Sequence, residues 1–310
     1  MKFDRIFAAS LVSALALLAA PSFAADGPLG LELDGSFSEG GFDRTRYVPP
    51  VTHPTLNETP FITTELRPIY AHHNIPNDFV TSGGEINVIA LQGRVAITER
   101  LGFIATTDGW GDFDFDAVLP DTDGFLDIAA GFKYALIHDP AGGNILTAGL
   151  RYTAPIGDVK TAGIDLTGRG DGFLNPFLTG ATMMGDLQLQ GSAGVQIALS
   201  NENWSYVHLG GHADYEVYDN VFPFVEANAI LPVDGGNQFP KGSPLGRLTG
   251  ADIADIGAAN PRDIVTLGGG LRFRLTDNVL LGAAYEHNIA SNDEDTVFDW
   301  RITTDLVVHF

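Results

Sequence analysis

Histidines, carboxylates and hydroxyls are the first side chains to test for chemistry. Acyl hydrolysis on a strand needs a His and a Ser on one face, hence two positions apart. None of the eight His residues has a Ser at that spacing. His53-Pro54-Thr55 comes nearest, and Ser291 follows His287 by four without an acid partner. His208 and His212 share a face but stand about 13 Å apart in an extended chain, too far to chelate one metal. His72, His73 and His287 would approach one another only across a strand that neighbours both of theirs. Asp112, Asp114, Asp116 and Asp123 fall at calcium-loop spacing, but Ala117 stands where such a loop needs Gly, and Asp123 is shorter than the usual Glu. Alternating Phe113 and Phe115 fit a strand there instead. Arg169-Gly170-Asp171 carries little information, and no G-x-x-x-x-G-K phosphate loop occurs. No catalytic, cofactor-binding or metal-binding residue is nominated, and no cofactor is expected.

A different chemistry lies in charges placed at every second position, opposite apolar residues. At the C-terminus Trp300, Ile302, Thr304, Leu306, Val308 and Phe310 share one face; Asp299, Arg301, Thr303, Asp305, Val307 and His309 share the other. Leu126 to Leu136, Leu146 to Ile156, Leu187 to Ile197, Val207 to Val217 and Val265 to Leu275 repeat the pattern. A side-chain period of two means strands with one apolar and one polar face. If the apolar faces meet lipid, the polar faces gather Glu65, Arg67, Arg94, Asp127, Lys133, Arg151, His208, His212, Asp214, Glu216, Glu226, Arg272, Arg274, Glu286, Asp299, Arg301 and Asp305 in a shared lumen. Buried charges must pair or stay hydrated. The set therefore reads either as a charge network that fills a narrow barrel, or as a polar path whose basic cluster selects anionic or polarisable solutes.

Twelve strands are expected, at roughly 61–73, 84–97, 101–108, 126–138, 145–156, 174–183, 187–199, 205–217, 221–231, 263–275, 279–290 and 296–310. The connections alternate between short turns and longer loops, up to 232–262. That alternation is the plan of a closed antiparallel transmembrane β-barrel of about 12 strands (10–14 allowed), with short periplasmic turns and longer extracellular loops. Such a barrel covers 60–310. Tyr70, Tyr152, Tyr206, Tyr285 and Trp300 are placed at the loop rim, and Phe103, Phe132, Tyr134, Phe273 and Phe310 at the turn rim. An even strand count puts both barrel ends on the periplasmic side.

Two segments precede the barrel. Residues 1–24 carry Lys2 and Arg5, then an uncharged apolar run, Pro21 and small residues before Ala25, and read as a cleavable signal peptide. Residues 25–59 are Gly- and Pro-rich without a strand period. They read as a periplasmic extension or as a plug entering the barrel, with Leu29, Leu31, Leu33, Phe37, Phe42 and Tyr47 as apolar content needing a partner.

Composition agrees. The 310 residues include no Cys, which excludes a disulfide scaffold and Cys-ligated metal. Only 17 Lys and Arg stand against 39 Asp and Glu, a net charge of -22, so a nucleic-acid partner is not expected. Much of the acid lies in the longer loops, at Asp108, Asp112, Asp114, Asp116, Asp121, Asp123, Asp293, Glu294 and Asp295, solvated or bridged by cations to lipopolysaccharide.

The terminal Phe310, with Val308 and Leu306 before it, resembles the assembly signal of Gram-negative outer-membrane β-barrel proteins. This implies export to the outer membrane and recognition by the barrel-assembly machinery. The strand ends Asp127-Ile128-Ala129-Ala130-Gly131-Phe132-Lys133-Tyr134 and Gly149-Leu150-Arg151-Tyr152-Thr153-Ala154-Pro155-Ile156-Gly157-Asp158 resemble those of fatty-acid and aromatic-hydrocarbon outer-membrane transporters, including those of phenol-degradation pathways. That resemblance implies passive uptake of small hydrophobic or aromatic molecules through a plugged barrel. Those transporters typically have fourteen strands, and this sequence offers twelve. The expected function is a passive small-molecule channel rather than an enzyme. The alternatives are a structural or partner-binding barrel without an open pore, its loop 232–262 touching the partner, and an outer-membrane lipid hydrolase using Ser291 or His287.

Overall fold

The computed structural model describes residues 46–250, 252–290 and 293–310. The expected signal peptide, the first part of the N-terminal extension and Ser291 lie outside them. Twelve antiparallel strands form the wall: β1 Glu65–Ile75, β2 Gly84–Ala96, β3 Leu101–Phe115, β4 Ile128–Asp139, β5 Asn144–Ala154, β6 Phe173–Met184, β7 Leu187–Ala198, β8 Ser205–Tyr215, β9 Val221–Asp234, β10 Ile264–Thr276, β11 Val279–Asn288 and β12 Trp300–His309. Each pairs with its neighbours in sequence, and β1 pairs with β12 through Glu65↔His309 and Leu66↔Val308, which closes the barrel. Closure leaves no sheet edge and satisfies the backbone in lipid.

Alternation decides the two faces. Along β12 every odd residue from Arg301 to His309 is buried. Along β11 the burial alternates in the same way from Leu280 to Asn288. The exposed positions carry Leu150, Leu178, Leu209, Leu267, Leu271 and Ile302, an apolar outer surface suited to lipid. Tyr152 and Tyr285 face outward at one end; Phe132, Tyr134, Phe273 and Phe310 face outward at the other. Tyr206 departs from its expected rim position. It shares the inward parity of His208 and packs at 4.5 Å against Trp204 inside the barrel.

Strand boundaries move where tertiary pairing overrides the local pattern. β1 begins at Glu65 rather than 61, because Phe61 and Ile62 still belong to the filling of the lumen. β3 continues to Phe115 rather than 108. Its upper part pairs with β2 and with a short strand, Thr122–Phe125, so Asp112 stands opposite Asp123 in a ribbon and the four aspartates form no calcium-type loop. β12 begins at Trp300 rather than 296, because Thr296 bridges Thr249 of the longest loop and Phe298 is fully buried. That loop folds inward and includes a 3-10 turn, Pro244–Arg247, capped by the Ser243 hydroxyl accepting from the Leu245 N–H. Asp295 is likewise buried, bonded to Arg262, rather than solvated. β3 bulges at Thr106 and Thr107: Leu91 pairs with Asp108 but Gly93 with Ala105. The bulge turns the Thr106 carbonyl inward, where Gln92 Nε2 donates to it at 2.8 Å.

Candidate functional site

Residues 46–64 occupy the lumen. Pro49, Pro50, Pro54 and Pro60 fix an extended path and remove four N–H donors. Such a segment pairs with itself only locally at its turn, where the Leu56 and Asn57 N–H groups donate to His53 O, so most of its carbonyls must find donors on the wall. Val48 O accepts from Gln188 and Gln190, Pro49 O from Arg272 at 3.0 Å, and Pro50 O from Arg67 at 2.6 Å. Glu226 accepts from Val51 N and Thr52 N at 2.9 and 2.7 Å. The chain turns at His53–Leu56, with His53 at φ 44. Pro54 O then accepts from Gln92 and Thr55 O from Arg151. On the way back Asn57 donates to Asn228 Oδ1 at 2.7 Å, Glu58 O accepts from Thr179, and Pro60 O from Thr147. Tyr47 finally meets Phe61 at 4.7 Å, so the segment is a hairpin with both limbs ending at one rim.

The charged side chains form linked clusters around this hairpin. Glu58 receives Arg94 through Nε and Nη2 and Lys133 through Nζ, each at 2.8 Å; Arg94 also reaches Glu65 at 3.0 Å. Asp305 joins Arg67 and Arg272. His212 sits between Asp214 at 2.9 Å and Glu226 at 2.7 Å. Arg301 joins Glu286 to Asp252 of the long loop, and the Thr55 hydroxyl donates to the same Asp252 carboxylate. His53 Nδ1 lies 3.3 Å from Asp252 and its Nε2 lies 3.2 Å from Glu286. One loop carboxylate thereby ties the hairpin apex to the wall.

Of the seventeen charged and His positions assigned to the lumen, fourteen are buried: all but Asp127, Glu216 and Asp299. Those three lie just beyond strand ends. Asp127 accepts from the N–H groups of Gly157 and Gly168, Glu216 accepts from Asn220 N across a turn, and Asp299 faces the half-exposed His287 at 3.4 Å. Arg274 lies over the Phe222 ring, and His208 Nε2 lies 2.9 Å from Asn175 Nδ2. The structure does not gather His72, His73 and His287. His73 is buried on Val297 O, whereas His72 and His287 are partly exposed on the opposite face. Among the described residues no group of three metal-ligating side chains forms.

Sequence reasoning missed Glu58, Asp252, Gln92, Asn175, Asn228, Gln188 and Gln190. Five of them are uncharged amides, and their signal lay elsewhere: a proline-dense segment implies wall donors for its carbonyls. Outside the strands, burial pushes the Asp255 carboxyl up to about 6, opposed by Arg169 and by the N–H groups of Gly257 and Trp204.

Two larger cavities lie among the described residues. One, of about 110 Å³, lies over the hairpin apex, with Pro54, Thr55 and Leu56 as part of its lining, Arg151 at its side, and Asp252 to Asp255 of the long loop against it. The other, of about 80 Å³, lies among the loops and is lined only by apolar side chains and Gly250, including Phe79, Phe113, Phe115, Leu119, Phe239 and Ile256. Leu166 and Ala254 line both, so the two cavities adjoin at these side chains.

No family model matches the chain, and no curated protein matches it in sequence. Solved structures do match in shape. An outer-membrane channel from Pseudomonas putida F1 superposes with a TM-score of 0.53 at 15% identity, over 85% of this chain and 100% of that one. The NanC porin gives 0.50 at 7% identity, over 80% and 100%. These likenesses establish the fold, a twelve-stranded barrel of the outer-membrane type.

Proposed function

We propose that this chain is an outer-membrane channel for small, largely apolar molecules, with the hairpin 46–64 as an internal plug. The observation that carries the reading is the pair of adjoining cavities, which share Leu166 and Ala254 in their linings, with the plug apex against the inner one. An apolar molecule leaves water favourably in the outer cavity. The inner cavity offers mostly apolar walls with a few polar groups. Beyond it the hairpin is held to the wall mainly by side-chain bonds, which water and wall groups can replace one at a time, with a backbone tie only at its end, from Phe310 N–H to Thr64 O. The wall itself needs no rearrangement for the hairpin to move. The acidic loops suit a position facing lipopolysaccharide through bridging cations.

The test is planar-bilayer conductance of the refolded protein, intact and without residues 25–59. The expected result is a small, flickering conductance in the intact protein and a several-fold larger, steady one after truncation. Silence in both forms overturns the channel and leaves a closed, partner-binding barrel.

A further inference from the structure

Most buried cations of the lumen stand beside an acid: Arg67 and Arg272 beside Asp305, Arg94 and Lys133 beside Glu58, Arg301 beside Glu286 and Asp252. Arg151 is different. It is 3% exposed, yet its bonds go to neutral groups: Nε and Nη2 to Asn175 Oδ1 at 3.1 and 2.6 Å, Nη1 to Thr55 O at 2.7 Å and to Thr106 Oγ1 at 3.2 Å. The Phe177 ring lies 5.0 Å from its guanidinium carbon. Among the described side chains no carboxylate lies within ion-pair distance. A charge withdrawn from water without a counter-charge is costly, and the cost is relieved by an anion that arrives with its own apolar body.

The space beside Arg151 suits such a body. The inner cavity is lined by Leu56, Ile69, Val88, Phe173 and Trp204 as well as by Arg151. Its volume of about 110 Å³ is of the order of the ~150 Å³ apolar cavity that takes up benzene. The carboxylates that also line it are already engaged. Asp252 holds Arg301 and Thr55, Asp255 holds Arg169, and Asp127 holds two backbone N–H groups.

We propose that Arg151 and this cavity form a binding site for small monocarboxylic acids with an aromatic or compact apolar body. This deepens the preceding reading and rests on it for the solute's route. The ligand carboxylate takes the Nη1–Nη2 edge of the guanidinium, in the bidentate manner arginine favours. The ring fills the apolar part of the cavity. In taking Nη1 the carboxylate displaces the Thr55 carbonyl, so binding removes one of the ties that hold the hairpin apex. The acids in the lining face any second carboxylate on the ligand, which selects against dicarboxylates by like-charge repulsion.

The experiment measures binding of benzoate, its neutral isostere benzamide and the dicarboxylate phthalate to the full refolded protein in detergent at neutral pH. Calorimetry gives the affinity, and quenching of Trp204, which lines the cavity, gives the location. Benzoate is expected to bind at least about tenfold more tightly than benzamide, and phthalate more weakly than benzoate. Arg151→Gln should abolish the preference for benzoate over benzamide while benzamide still binds, which shows an intact cavity. Arg151→Lys should restore part of it. Equal affinity for benzoate and benzamide in the unaltered protein overturns the proposal, as does a preference that survives Arg151→Gln. Bilayer conductance separates the two readings. Conduction without a benzoate preference removes the carboxylate site and leaves the channel. A benzoate preference in a barrel silent both intact and truncated leaves the site and removes the channel.

Discussion

Glu58 joins two buried cations, accepting three bonds from Arg94 and Lys133 on its two oxygens. Replacing it with the isosteric Gln keeps the shape and removes the charge. Arg94 then keeps Glu65, whereas Lys133 keeps no carboxylate at ion-pair distance among the described residues, and breaking a buried pair costs about 3–5 kcal/mol. Glu58→Gln is therefore expected to lower the denaturant midpoint of the hairpin region and to raise the open-channel fraction of the intact protein in bilayers; an unchanged single-channel record would count against Glu58 as a tie. Asp255 makes a prediction of opposite electrostatic sense. Its folded-state carboxyl titrates at about 6 against an ordinary 3.8, so the folded loop binds its proton more tightly than the unfolded chain does. Stability therefore falls as pH rises through that window and is level above it. Hydrogen exchange across 252–258, corrected for intrinsic rates, should show more protection near pH 5 than at about pH 7.5, and Asp255→Asn should flatten the difference.

At the scale of strands and loops, two inward glycines make room for the side chains around Arg151. A Cβ on Gly149 would lie 2.1 Å from the Phe177 ring, and one on Gly194 would lie 2.3 Å from His208 Nε2. Phe177 covers its cross-strand partner Gly149, filling a gap that a glycine leaves in a sheet. Gly149→Ala should push the Phe177 ring from beneath Arg151 and cost about 1–3 kcal/mol by overpacking, read as a lower urea midpoint. Gly191→Ala is the control, because its nearest neighbour stands at 3.8 Å. The hairpin depends on its prolines in a related way. Pro49→Gly and Pro50→Gly leave the Arg272 and Arg67 acceptors in place but free the backbone between them. These changes should increase the rate of brief openings in bilayer recordings without changing barrel migration on unheated gels.

For the whole molecule, what could be read from sequence divides along a physical line. The twelve strands were legible because a wall between lipid and a polar interior imposes a period of two on every element, as the buried odd residues of β12 repeat. The ends were less legible. β3 runs past 108 only because Thr122–Phe125 returns to pair with it, and β1 starts late because Phe61 packs on Tyr47. Tyr206 misled because aromatic residues near strand ends favour the membrane interface, while its parity pointed inward. The charged lumen residues were visible as types, but their partners were not. Glu58 and Asp252 come from segments with no periodicity, and nothing local in a proline-rich stretch reveals where it turns. The unpaired charge of Arg151 emerged only once every neighbour was placed.

The hairpin begins and ends at the same rim. Tyr47 packs against His309, and Thr64, one residue before β1, accepts from the N–H of Phe310. The described residues of the hairpin form a bight of chain laid into the ring from one side. The described part of it can be drawn back towards the rim of the short turns without untying a knot or parting a rung between two wall strands. The barrel and its contents are thus separable in time as well as in space. Nothing in the described topology requires the filling to precede the ring, and the lipid meets the same unbroken surface in either order.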